Sequence, residues 1–391
     1  MSFVEGDKGA TTLLNLSCRR DPFGGASVLQ AGAGRGRLYG TRRLGPAVGD
    51  QDLAPALLED QGYQLTGKHS AVKVCYWTAK ALTEGRHCYK GRFYGIESHR
   101  CMQMSPSIDA CNLHCRFCWR YQGWEHEETL EEFDEPATVL SRSLEAQRRL
   151  LSGFGGNDRV DPERFRESQV PRHVAISLTG EPTLYPKLNE FLALCHERGI
   201  TTFLVTNGTN PDALRQLDPL PTQLYCSVTA PNREVFQRLT LPAQEDAWDR
   251  LTESLRLLRD LKTRRVIRHT LVKGWNLGWE EEYARLDRLA NPDFIEPKGY
   301  VYMGRSRQRL TRDHVPTHEE VGSFAHRLAG LLGYPLVDEA PDSKVYLLAR
   351  DPSRRWLPGR EPASLPDRVR TVEGDPLPML TPALVVPGSP G

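Results

Sequence analysis

The sequence has almost no net charge: 51 Lys and Arg stand against 50 Asp and Glu in 391 residues, a formal balance of +1. That balance gives no global electrostatic case for a nucleic-acid partner, although a local basic face is compatible with it. No run of about 18 apolar residues occurs, so no membrane-spanning helix is expected. The first twenty residues carry Glu5 and Asp7 and lack an apolar stretch followed by a small-residue cleavage site. A secretory signal is therefore not expected, and a cytoplasmic setting is. Lysine is scarce, only ten of the 51 basic residues, so any lysine near a reactive group is worth weighing. Hydrophobic residues at 39% and charged residues at 26% are ordinary for a globular chain.

What the chain does have is patterned cysteine. Six of its nine cysteines lie between Cys75 and Cys118; Cys18, Cys195 and Cys226 are isolated. In a reducing compartment, clustered cysteines more often hold metal than form disulfides. Cys111, Cys115 and Cys118 form C-x3-C-x2-C around His114 and Phe117. Three thiolates this close can wrap one face of an iron–sulfur cube and leave one iron open for a chelating molecule. The other reading of the spacing is a zinc knuckle with His114 as fourth ligand. Cys75, Cys88 and Cys101 recur at intervals of 13 and 13 immediately before this loop. They suggest a second cluster with an open iron, against the plainer reading of small buried side chains. Lys90 follows Cys88 by two residues. Beside an open iron, a lysine can condense with a carbonyl substrate as a Schiff base; elsewhere it is a surface cation.

Downstream, strand and helix patterns alternate. Strands are expected over 173–178, 201–206, 223–229, 265–272 and 294–303. Helices are expected over 186–198, 246–261, 279–290 and 317–332, the last with a Thr317 cap and Glu320 three residues on. Alternating βα units argue for a parallel sheet or barrel, with the site at the C-terminal strand ends. Residues 1–55 are Gly- and Arg-rich and 351–391 Pro-rich, so neither is expected to be regular.

The C-x3-C-x2-C loop resembles that of the radical S-adenosylmethionine (SAM) superfamily, in which SAM chelates the open iron. Thr179-Gly180-Glu181-Pro182 resembles the superfamily motif whose Glu holds the methionine amino group. Asn207 stands where a polar group would meet the ribose, and Lys273-Gly274 resembles the backbone segment flanking adenine. Phe117 is grouped with these cofactor contacts. Longer stretches are more specific. Residues 69–75, 88–101, 171–186, 270–276, 294–300 and 305–310 are similar to the 4-demethylwyosine synthase family, over roughly 60–350.

That resemblance implies an incomplete (β/α)6 TIM-like radical SAM barrel. It implies two [4Fe–4S] clusters, with Cys111, Cys115 and Cys118 on the SAM cluster and Cys75, Cys88 and Cys101 on the auxiliary one. Pyruvate is expected at the auxiliary cluster with Lys90 as its Schiff-base partner. The nucleic-acid substrate is N1-methylguanosine at position 37, in the anticodon loop of phenylalanine tRNA. A 5′-deoxyadenosyl radical takes hydrogen from the methyl group, pyruvate adds two carbons and loses its carboxylate, and ring closure gives the tricyclic base. The enzyme class implied is a carbon–carbon lyase. The implied organisation is an extension over 1–55, an auxiliary-cluster segment over 56–105, a radical SAM core over 106–290, a barrel-completing segment over 291–350 and a tail over 351–391. The extension is too short for the flavodoxin-like domain of eukaryotic members, so a separate flavodoxin- or ferredoxin-like electron donor and a monomer are expected.

Lys298, Arg305, Arg307, Arg309 and Arg312 form a stretch without acids, and Arg264, Arg265 and Arg268 precede it; these are candidate phosphate contacts. Trp77, Trp119, Tyr121 and Trp275 are candidate stacking residues. The acidic run 125–135 is expected to face away from RNA or close over a cation. Pro297 departs from the family pattern and is expected to bend the strand carrying Lys298. Two other readings remain open: the same radical chemistry on a peptide or small molecule, or a cluster- or zinc-stabilised RNA-binding protein.

Overall fold

Short runs rich in β-branched and aromatic residues make a single sheet. The computed structural model describes residues 58–59, 61–108, 110–120, 122 and 132–360. The 1–55 extension, Cys18, Tyr121, most of the acidic run and the tail beyond 360 lie outside the described residues. Two short strands, β1 (Gln64–Leu65) and β2 (Ala71–Val72), pair antiparallel and lead through α1 (Tyr76–Glu84) and α2 (Tyr89–Tyr94) to β3 (Cys101–Ser105). Then come α3 (Pro136–Leu151), α4 (Pro162–Ser168), β4 (His173–Ile176), α5 (Leu188–Glu197), β5 (Thr201–Thr206), α6 (Pro211–Arg215) and β6 (Gln223–Ser227). After α7 (Arg233–Thr240) and α8 (Ala247–Leu258), the chain runs through β7 (Arg264–Leu271), α9 (Glu280–Ala290), β8 (Phe294–Gly299), α10 (His318–Leu332), β9 (Leu336–Ala340) and β10 (Val345–Ala349).

Strands β3 to β8 are parallel and adjacent in chain order, as six successive βα units require. Antiparallel β1–β2 flanks one end and β10–β9 the other, so the six-stranded core is a partial barrel. Side chains alternate across it with the period of two that a pleated strand imposes. Leu204, Leu224, Ile267 and Ile295 pack into the outer helical layer. Phe203, Tyr225, Val266 and Phe294 form a separate cluster with Phe93 and Tyr94 of α2, both fully buried. The α2 helix is therefore packed onto the inner face of the barrel, which brings the segment before β3 into the interior.

Boundaries differ from the sequence expectation for local reasons. The strand expected over 294–303 ends at Gly299, which packs against Pro316, Val321 and Lys344 within 3.3 Å of where a Cβ would lie. Pro297 does not break β8: its register with β7 is continuous, while the ladder to β10 skips Glu296 and Pro297. The irregularity falls on the side where the missing N–H costs a bond. Both halves of the Thr317–Glu320 capping box are present on α10.

The segment 351–360, grouped with the tail on composition, is packed. Arg355 is 1% exposed; its guanidinium donates to the carbonyls of Arg92 and Phe93 on α2 and to Asp338 at 2.5 Å. Asp338 also accepts from Arg92 at 2.8 Å. Removing a fully buried carboxylate strands two cations, whereas the exposed Arg86–Asp342 pair is screened by solvent. Chemical denaturation is expected to show Asp338→Ala losing about 3–5 kcal/mol and Asp342→Ala less than about 1 kcal/mol; equal losses would contradict this placement.

Candidate active site at the barrel mouth and interior

The C-x3-C-x2-C loop follows β3, at the C-terminal strand ends, and is held by backbone from three other segments. Residues 239–243, after α7, pair with it like an added strand. The Arg116 N–H donates to Leu239 O at 2.9 Å, Ala243 N–H donates to Asn112 O at 3.0 Å, and Leu113 bridges Pro242. After β4, Glu181 N–H donates to Ala110 O at 2.8 Å. From the far side, Arg309 donates from Nε to Arg116 O at 3.2 Å and from Nη2 to Cys118 O, and Arg305 N–H donates to Trp119 O at 3.0 Å. The three sulfurs are close enough to influence one another, and burial pushes the Cys111 thiol up to about 12 and raises Cys115 and Cys118. Backbone N–H groups of Leu113 and Arg120 aim at the sulfurs of Cys111 and Cys118. Desolvated sulfurs with N–H donors suit a cation-bearing cluster, which holds them as thiolates.

Gly180 makes the turn after β4. Its φ is +70°, and a Cβ there would lie 1.6 Å from the Ser107 carbonyl oxygen, so no other residue fits. Glu181, 2% exposed, is held by Thr183, Thr206 and the Asn207 N–H. Three of these hydrogen bonds fall on Oε1 and one, at 2.7 Å, on Oε2, which retains acceptor capacity for an ammonium group. Burial raises its pKa, and the hydrogen bonds oppose that rise.

The auxiliary cysteines are placed by helix starts. Cys75 and Cys88 are the N-cap residues of α1 and α2, and Cys101 opens β3. N–H groups of Trp77 and Thr78 donate to the Cys75 sulfur, Ala175 N–H to Cys101, and Ser98 Oγ to Cys88 at 3.3 Å. Helix N-termini favour thiolates. The three sulfurs influence one another and Lys90. Lys90 is 9% exposed, with Nζ 4.7 Å from the Tyr225 ring centre and 5.3 Å from that of Phe203. Burial first, then the Arg268 charge, holds its pKa below the ordinary lysine value. The structure thus brings both triads into one barrel, one at the mouth and one inside it.

Comparison with known proteins shows the family. A radical SAM superfamily pattern matches residues 105–286 and a wyosine base formation pattern matches 289–350. An S-adenosyl-L-methionine-dependent tRNA 4-demethylwyosine synthase of Pyrococcus horikoshii is 47% identical over 300 residues, 75% of this chain and 88% of that one. The chain belongs to the tRNA 4-demethylwyosine synthase family. The human TYW1 relative is 44% identical over 76% of this chain but only 41% of its own length. A solved structure of TYW1 with a lysine–pyruvate adduct bound matches with a TM-score of 0.70 and 36% identity, over 78% of this chain and 97% of that one. An archaeal TYW1 crystal structure matches at a TM-score of 0.64 and 34% identity. The partial radical SAM barrel and the cofactors of this family, SAM with a [4Fe–4S] cluster and a second auxiliary cluster, follow for this chain.

Within this synthase fold, several expected contacts are placed differently. Asn207 turns its side chain to Asn112 at 2.8 Å and to Thr209, bracing the cluster loop instead of facing outward. Lys273 pairs with Glu320 at 2.5 Å, and both it and Gly274 (φ +77°) are exposed. Phe117 is half-buried against the core. Lys298 is not on an RNA-facing surface. It lies inside the barrel, donates to Ser343 O at 2.6 Å, sits 5.0 Å over Tyr89, and is pushed down to about 7 by burial. Arg309 is spent on the cluster loop. Arg264 binds the carbonyls of 354–356, Arg265 pairs with Asp293 and Arg268 with Glu296.

Arg305 is half-buried beside the cluster loop, while Arg307 and Arg312 are exposed and flank Tyr302 at 5.5 and 5.3 Å. Trp119 is covered by Arg120 at 3.3 Å, Trp275 neighbours Arg116 and Arg238, and Trp77 stands edge-on to Tyr76. The end of the acidic run folds back: Glu132 pairs with Lys68. Cys195 and Cys226 are buried core residues. Glu97, His99 and Glu167 also bring three ligand atoms within 4.8 Å, but Arg100 and Arg360 already pair with those carboxylates.

Gly180→Ala is expected to displace the cluster loop while leaving the interior triad intact. Iron after anaerobic reconstitution should fall from about eight to about four per chain, with SAM binding lost; unchanged iron and SAM binding would contradict the geometry.

Proposed function

We propose that this member of the family condenses pyruvate with N1-methylguanosine at position 37 of phenylalanine tRNA to form 4-demethylwyosine. The observation that carries the reading is Lys90, a buried amine with ring contacts and no hydrogen-bond acceptor among the described residues, close enough to Cys88 and Cys101 to feel their charge. Cys111, Cys115 and Cys118 would hold the SAM cluster, and Cys75, Cys88 and Cys101 the auxiliary one. When bound, SAM and its cluster supply hydrogen-atom abstraction from the N1-methyl carbon. Glu181 orients the methionine ammonium through its spare Oε2 capacity, and the backbone at Gly274 lies along the adenine. Lys90 attacks the pyruvate carbonyl carbon, water leaves, and the ketoacid is tethered inside the barrel. Barrel walls of Phe203 and Tyr225 exclude water from a reactive carbon centre.

The anticodon loop would meet the mouth, where Tyr302 with Arg307 and Arg312 joins an aromatic face to two cations. A separate flavodoxin- or ferredoxin-like protein supplies the electron, and the enzyme acts as a cytoplasmic monomer. The alternative, a peptide or small-molecule substrate, is not favoured by the match to the wyosine base formation family over 289–350.

Incubation with SAM, pyruvate, a strong reductant and methylated phenylalanine tRNA should give the tricyclic nucleoside by mass spectrometry. SAM cleavage without that nucleoside would overturn the substrate assignment. Lys90→Ala is expected to lose the product by about a hundredfold or more while SAM cleavage persists; equal loss of both would argue against a pyruvate-specific role.

A further inference from the structure

Behind Lys90 lies a buried guanidinium with unused donors. Arg268, on the inner face of β7, donates from Nε to Glu296 Oε2 at 2.9 Å. Its Nη2 lies 2.8 Å from the same oxygen, is sealed from solvent, and has no aligned acceptor of its own. Nη1 makes no hydrogen bond among the described residues. Glu296, fully buried, also accepts from Tyr94 OH on Oε1 at 2.7 Å, which engages the oxygen turned away from Arg268. The sealed Nη2 is thus left without an aligned acceptor, and a buried charged donor in that state is costly. The guanidinium lies 4.5 Å from the centre of the Tyr225 ring, and Lys90 Nζ lies 4.7 Å from the same centre. Lys298 joins the same interior group. Arg268 is thus the guanidinium of this interior group, and its sealed Nη2 is a donor directed where an anionic guest can accept.

We propose that Arg268 is the carboxylate-recognition residue of the interior site and restricts the Lys90 amine to 2-oxo acids. A 2-oxo acid carries its carboxylate on the carbon that Lys90 would attack, so one small molecule can occupy the amine and the guanidinium together. A planar fork is suited to a carboxylate in a way that a lysine ammonium is not. The Arg268–Glu296 pair fixes the guanidinium, with the Tyr225 and Tyr89 rings beside it. This inference rests on Lys90 as the Schiff-base residue, and the test separates the two.

The reconstituted holoenzyme is incubated with pyruvate or with acetone and sodium cyanoborohydride. Hydride reduction of the iminium leaves a secondary amine on Lys90, which peptide mass spectrometry reads. The unaltered enzyme is expected to trap pyruvate at far lower concentration than acetone. In Arg268→Gln, half-maximal trapping of pyruvate should need about tenfold more ketoacid or beyond, with acetone trapping unchanged. Arg268→Lys keeps a cation opposite Glu296 and serves should the Gln variant lose its fold; it is expected to recover only part of the pyruvate preference. An unchanged pyruvate preference in a folded variant would overturn the proposal and leave the carboxylate to the open iron. Equal loss of pyruvate and acetone trapping would also overturn it, since a structural role alone would act on both. No trapping of either carbonyl at Lys90 in the unaltered enzyme would instead overturn the Schiff-base role itself.

Discussion

Three thiolates cannot be gathered in a desolvated pocket unless a cation holds them there, because each loses hydration and repels the other two. This chain meets that constraint twice, and much of its architecture follows from how it does so. At the mouth, the sulfurs of Cys111, Cys115 and Cys118 sit on a loop pinned from three sides, by 239–243, by Glu181 and by Arg309. Inside, Cys75 and Cys88 stand at helix N-termini and Cys101 at the start of a strand, each with a donor directed at its sulfur. The first arrangement rigidifies a loop. The second inserts a short helix into the barrel and makes the segment before β3 part of its interior.

The interior is also where the polar chemistry lies. The rings of Tyr89, Phe203 and Tyr225 lie against Lys90, Arg268 and Lys298, and Tyr94 donates to Glu296. Replacing such a group by hydrophobic residues of like volume would be close to neutral for stability or favourable. Its persistence in a packed barrel is thus better explained by what it binds than by what it stabilises. Structural ionic groups are handled differently: Asp338 is met by both Arg92 and Arg355, and Asp293 by both Arg265 and Arg350.

Much of this was legible from sequence because it depends on local spacing. The cysteine intervals, the Thr317–Glu320 box and the glycine turn at 180 are short-range patterns, and the structure retains the last two as helix cap and positive-φ turn. The strands at 201–206 and within 265–272 are also legible locally, each closed by a glycine-containing turn at Gly208 and Gly274. What was not legible is long-range. Nothing in the composition marks Leu239–Ala243 as the partner of the cluster loop, or Arg355 as a buried anchor more than 260 residues from the carbonyls it binds. The basic stretch 298–312 misled for the same reason: charge along a chain does not say which face a strand or turn presents. Lys298 points inward because β8 alternates, and Arg309 is taken by two carbonyls of the cysteine loop. Asn207, expected to reach a ligand, braces Asn112 because both follow strands that lie close in the sheet.

Two independent three-thiolate sites in one barrel should be visible by Mössbauer spectroscopy of the anaerobically reconstituted chain, read together with SAM cleavage. The intact chain should carry about eight irons as two cubic clusters. Replacing Cys75, Cys88 and Cys101 together by Ala should leave one cluster of about four irons that still cleaves SAM on reduction. Loss of both clusters in that variant, or a single cluster in the intact chain, would contradict the account.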